Sequence, residues 1–186
     1  MNESQETILV RRCQTGDTEA LRMLVEQYRS VLFGTAYLMM RDRGLAEDAV
    51  QEALIQIWKN LASFRLKSSV KTWMVRIVVN EVKQQFRKKK LPMISLEEAT
   101  DTPSGSDGVE AVLIHDEERR GLRQTLDRLQ PEQKETVVLR YFSELTIPEI
   151  AAVTNQREGT IKARLSRALD RLGEVLSRDE MQEGRR

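Results

Sequence analysis

The sequence predicts an all-α protein of two small helical domains joined by a flexible linker. Apolar residues recur at spacings of three and four through most of the chain, and the alternating pattern of a strand is absent. Nine glycines and four prolines in 186 residues are too few for the closely spaced turns of an all-β fold. Residues 91–110, LPMISLEEATDTPSGSDGVE, hold two prolines, two glycines and several acids but no helical stripe. They read as an acidic linker between domains at residues 1–90 and 111–186.

A first helix is expected from about Thr18 to Met40, with Thr18 or Asp17 as its cap after Gly16. A second runs from about Leu45 to Leu61 and a third from about Val70 to Lys89. Beyond the linker, about Ala111 to Leu129 reads as helical, and Pro131 suits the first position of a helix reaching Phe142. A short helix from Ile147 to Val153, a turn at Thr154–Arg157 and a helix from Glu158 to about Leu176 follow.

The segment MNESQETILV has neither a basic n-region nor an apolar h-region, so no secretory signal is visible. The longest mostly apolar stretch, Val31 to Met40, is too short to span a bilayer. The chain therefore reads as cytoplasmic, with no membrane insertion. Cys13 is the single cysteine and His115 the single histidine, which argues against an internal disulfide, a Cys/His zinc site and a Ser-His-Asp triad. No catalytic residue, metal or cofactor is expected. Cys13 reads as a small buried residue where an amphipathic helix starts.

A net charge of +1 conceals segregation. Arg65 to Lys90 holds nine basic residues against Glu81 alone, whereas Leu91 to Glu118 holds eight acids and no Lys or Arg. A basic block beside an acidic one points to a polyanion-binding surface next to a solvated connector.

Residues 147–172, IPEIAAVTNQREGTIKARLSRALDRL, have the layout of a helix-turn-helix. At about 100° per residue, Ile161, Leu165, Ala168, Leu169 and Leu172 share one side of the second helix. Thr160, Arg164, Arg167 and Arg171 fall on the other, with Ala163 beside them. Such a helix can enter a major groove, where Arg bonds guanine bidentately. A solvated basic face is the competing account.

On the Val70–Lys89 helix, Val75, Val78, Val79, Val82 and Phe86 make the apolar side. Trp73, Arg76, Asn80, Lys83 and Arg87 align opposite, and the preceding loop adds Phe64, Lys67, Ser68, Ser69 and Lys71. Cations that follow phosphates and planar groups that stack on bases suit single-stranded nucleic acid. The alternative places Trp73 and Phe64 in the core. In the helix before it, Ala46, Ala49, Val50, Ala53, Ile57 and Leu61 form the buried stripe. Asp48, Gln51, Glu52, Ile55 and Lys59 face outward. Ile55 on that mostly acidic face hints at a protein-binding surface.

In this order, the three segments resemble the extracytoplasmic-function sigma factors of bacterial RNA polymerase. AEDAVQEALIQIWKNL resembles region 2.2, which implies docking on the β′ clamp helices through Asp48, Gln51, Glu52, Ile55 and Lys59. FRLKSSVKTWMVRIVVNEVKQQFRKKK resembles regions 2.3 and 2.4, which open and read the −10 element. LQPEQKETVVLRYFSELTIPEIAAVTNQREGTIKARLSRAL resembles region 4, which reads the −35 element and implies Lys162 and Ser166 beside the residues above. The chain departs from the family at Leu66, where Gly is common, at Gln84, where Asp is common, and at Val70, where an aromatic is common.

The resemblance implies a non-enzymatic promoter-specificity subunit. Its partners are core RNA polymerase (β′ clamp helices and β flap), promoter DNA and an anti-sigma factor. Two rivals remain at this stage: a free-standing helix-turn-helix regulator, and a metal-dependent nucleic-acid enzyme using Asp48 and Glu52. Co-purification with core polymerase separates the three.

Overall fold

The computed structural model describes residues 3–90 and 125–183, with side chains for 5–88 and 125–175. The expected linker at 91–110, and most of the helix expected at 111–129, lie outside the described residues. Every regular element among those described is helical.

Four helices make the first module: α1 (Glu3–Gln14), α2 (Thr18–Met40), α3 (Arg43–Leu61) and α4 (Val70–Lys90). Asp17 caps α2 by accepting from the Ala20 amide, and Asp42 caps α3 by accepting from the Leu45 amide. Arg41 takes the left-handed conformation that ends α2. Helices α2, α3 and α4 pack mutually, and α1 lies on α2. Their shared core includes Leu24, Leu32, Ile57, Leu61, Met74 and Val78, all essentially inaccessible. Helix α1 is an addition to the sequence reading, which has only a helix start at Cys13; Cys13 lies instead in the last turn of α1, whose inner side it buries with Leu9 and Val10.

The second module comprises α5 (Pro131–Val137), which continues as one π-helical turn over Val138–Phe142, then α6 (Ile147–Thr154) and α7 (Glu158–Glu183). Pro131 opens α5, as its missing amide hydrogen allows. Thr146 and Glu149 form a reciprocal capping box on α6, and Asn155, left-handed at φ 55°, makes the tight turn toward α7.

The two modules share a core. Leu139, Leu145, Ile150, Val153 and Ile161 join the cluster built on α2 and α4, while Leu38 of α2 joins Leu126, Leu129, Val137, Val138 and Ala168. The two helical domains expected from the sequence are therefore packed against each other. The physical reason is that α2 is apolar on more than one side, so one stripe is left over after α3 and α4 are packed.

Two apolar assignments are corrected. Phe86 and Leu169, placed on buried faces by the helical wheel, are exposed, at 39% and 42%. Phe86 lies beyond Val82, the last fully buried position described on α4. On α7 the buried line runs Ile161, Ala168, Val175, a seven-residue repeat that leaves Leu169 to one side.

Burial, helped by the negative charge of Asp17, pushes the Cys13 thiol above its ordinary pKa. Cys13 is therefore expected to react slowly with a thiol reagent in the native chain and rapidly in urea; fast native modification would contradict the packing of α1. Leu66 stands in the left-handed region at φ 54°, which strains a branched side chain. Leu66→Gly is expected to leave stability unchanged or raise it by up to about 1 kcal/mol, whereas Gly at an ordinary helical site costs about that much. Urea titration measures the difference.

Candidate nucleic-acid interface

The loop that enters α4 is held from both ends. Gln14 of α1 donates its Nε2 to the carbonyls of Leu61 and Phe64 at 3.2 and 2.8 Å. Ser69 accepts from the Thr72 amide at 3.1 Å and so caps α4. Phe64 is buried and stacks on the half-buried Trp73, ring centroids 4.7 Å apart. Its face meets Trp73, which places Phe64 under the loop as an anchor. Lys67, Ser68 and Ser69 remain exposed above it.

Along α4, the valines and Met74 face the core while Arg76, Asn80 and Arg87 are exposed on the outer side. Lys71 and Lys83 belong to the same cationic surface but are half-buried, and both meet acids of the second module. Lys83 Nζ lies 2.7 Å from Glu135 Oε1, and Lys71 Nζ lies 3.8 Å from Glu144 Oε2.

On α3, Asp48, Gln51, Glu52, Ile55 and Lys59 are all exposed. Trp58, 44% exposed, stands one turn beyond Ile55. The sequence reading passes over it, although a tryptophan among outward-facing polar residues is itself the signal, since large aromatics left in water mark protein contacts.

On α7, Lys162, Ala163, Ser166, Arg167 and Arg171 are exposed, and Thr160 and Arg164 are partly so. Arg167 Nε donates to the Ala163 carbonyl at 3.1 Å, and Arg171 pairs with Glu174 at 3.3 Å. Beside them, Arg128, Gln130 and Gln133 line a cleft of about 330 Å³ with Arg167 and Arg171. These three are distant in sequence, so only the fold brings them to α7. No group of His, Cys, Asp and Glu that could hold a metal occurs among the described residues.

Residues 24–91 match the Sigma-70 region 2 family, and residues 119–172 match the Sigma-70 region 4 family. The sigma-E factor of Escherichia coli K12 is 32% identical over 174 residues, covering 88% of this chain and 90% of that one. This chain belongs to the extracytoplasmic-function sigma factors. SigW of Bacillus subtilis is 29% identical over 177 residues, covering 90% of this chain and 94% of its own. The RNA polymerase sigma-H factor of Pseudomonas aeruginosa is 28% identical over 185 residues, covering 95% and 96% of the two chains.

Solved structures share the fold. CnrH in complex with the cytosolic domain of CnrY has a TM-score of 0.70 at 22% identity, covering 94% of this chain and 98% of that one. RpoE of Bartonella quintana, solved with the anti-sigma factor NepR, has a TM-score of 0.64 at 27% identity, covering 84% and 96%. A sigma factor catalyses no reaction. It binds core RNA polymerase, recognises the −35 and −10 promoter elements and so directs where transcription begins.

The contact between α6 and α4 is expected to weaken in acid. Burial raises the pKa of Glu149, but hydrogen bonds from Thr72 and Thr146 and the charge of Lys71 outweigh it, so the carboxyl sits below its ordinary value. A carboxyl lowered in the folded state stabilises above its unfolded pKa and loses that contribution as pH falls through the folded one. The loss therefore begins below about pH 4.3. Glu149→Gln is expected to lower stability at neutral pH and to flatten the acid limb of the stability profile. An unchanged limb would remove this carboxylate from the account.

Proposed function

We propose that the sigma factor divides its work among three surfaces carried by modules at residues 1–90 and 111–186. The outer face of α3, with Asp48, Gln51, Glu52, Ile55, Lys59 and the added Trp58, docks on the β′ clamp helices of core polymerase. The loop and outer side of α4 take the −10 strand. There Lys67, Ser68, Ser69, Lys71, Arg76, Asn80, Lys83 and Arg87 make the contacts, Trp73 edges the face and Phe64 positions the loop. The exposed side of α7 reads the −35 element through Thr160, Lys162, Ala163, Arg164, Ser166, Arg167 and Arg171, and this module also meets the β flap.

The observation that carries this division is exposure. On each helix the apolar stripe is buried, and the opposite face, acidic on α3 and cationic on α4 and α7, is largely left to solvent. Opposite charge on the protein-binding and DNA-binding faces keeps each from attracting the other's partner. The likeness to an RpoE solved with an anti-sigma factor supports control of this chain by an anti-sigma factor as well. Among the described residues no helix is long and apolar enough to cross a membrane, which agrees with a place in the cytoplasm beside the polymerase.

Asp48→Arg and Glu52→Arg are each expected to abolish binding to core polymerase while circular dichroism stays native. Folded variants with unchanged affinity would remove the α3 face from the assignment. Arg167→Ala is expected to cost roughly 1–3 kcal/mol and to relax preference at one −35 position, as loss of a bidentate base contact does. Arg171→Ala should weaken all sequences about equally and lower the salt slope by about one. Holoenzyme binding to promoter variants at several salt concentrations reads both. A uniform effect of Arg167→Ala would make it a phosphate contact.

A further inference from the structure

The second module covers the first where the −10 strand has to bind. Lys83 is held by Glu135, whose side chain is 7% exposed, at 2.7 Å. Thr72, at the start of α4, donates to Glu149 Oε1 at 2.6 Å, and Lys71 faces Glu144. Three carboxylates from one module thus sit along the other module's cationic surface, two at the start of α4 and one about three turns further on, where DNA phosphates would lie.

Steric fit and hydrogen bonding hold the two together beneath those charges. The Phe142 ring rests on Gly34 so closely that a Cβ added there would collide with it. Thr35 and Ser143 share a buried hydrogen bond of 2.9 Å. Leu145 and Ile150 close the seam within the common core. On the far side Arg41 pairs with Asp127 at 3.2 Å.

We propose that the free sigma factor masks its own −10 surface, with Glu135, Glu144 and Glu149 standing in for the phosphates of single-stranded DNA. This rests on the assignment of the α4 face to the −10 strand. The same lysines cannot serve both partners, so acids and phosphates exclude one another. Binding to DNA is then weakened by the fraction of open chain: a chain open about one-tenth of the time binds about tenfold more weakly than one held open.

The full-length chain tests this with dyes on Ser30→Cys and Gln156→Cys, both exposed positions, while Cys13 stays buried and unlabelled. Fluorescent oligo(dT) serves as the single-stranded probe. Two independent openings are used: the double variant Glu135→Gln/Glu149→Gln, which removes charge, and Gly34→Ala, which leaves every charge in place. Alanine suits a helix interior better than glycine, so the second keeps α2 folded. Each is expected to alter the distance between dyes and to tighten oligo(dT) binding about tenfold. Arg76→Ala added to an open variant then weakens it.

An unchanged distance in both variants, or a changed distance with no gain in affinity, overturns the mask. The Arg76→Ala arm separates two causes of failure. If it still weakens oligo(dT), the α4 surface binds DNA but is not masked. If it has no effect, the α4 assignment itself is wrong and the mask falls with it.

Discussion

How near α2 lets the second module come decides most of the remaining arrangement. Gly34, Thr35 and Ala36 form a run of small residues, all buried, on a helix otherwise rich in Leu, Met and Tyr. Phe142 and Ser143 reach that run because the chain passes through a π-helical turn at Val138–Phe142. An extra residue per turn re-aims the side chains that follow it. With the ring seated on Gly34, Leu139 and Leu145 become fully buried, α6 comes to rest on α4, and Glu135 and Glu149 come within reach of Lys83 and Thr72.

The helices were legible in the sequence because each carries an apolar stripe and a recognisable end. Asp17 before α2, Pro131 at the start of α5 and the Thr146–Glu149 pair on α6 are local chemistry, and local chemistry needs no knowledge of the fold. The exposed faces were legible for the same reason, since a helix that buries one side must present the other. Helix α1 escaped notice because its stripe is short and lies among polar residues: Leu9, Val10 and Cys13 gain their burial from α2 and α3.

Other features needed the third dimension. A stripe says that a face is covered but not by what, so Lys83 reads in sequence as one of an outward cationic row for nucleic acid and proves to be paired with a buried glutamate. Phe64 reads in sequence as a contact for the −10 strand, with a core position as the alternative, and the structure buries it against Trp73. Phe86 and Leu169 satisfy the wheel and yet lie in the open, since the wheel assumes a neighbour along the whole length of a helix. At Leu66, where glycine is common in the family, the backbone takes a left-handed conformation that strains the branched side chain.

The seam between the modules is internal to a single polypeptide. Its closure therefore does not depend on how much of the protein a cell holds, and dilution does nothing to undo it. Tethered groups face each other at an effective concentration in the millimolar range when the connecting chain matches the span. A competitor for one module alone must overcome that standing advantage. One that engages both modules at a fixed separation adds the second contact with little further loss of freedom. A large, two-handed partner is favoured over any short strand of nucleic acid, and this ordering is set by connectivity before any base is read.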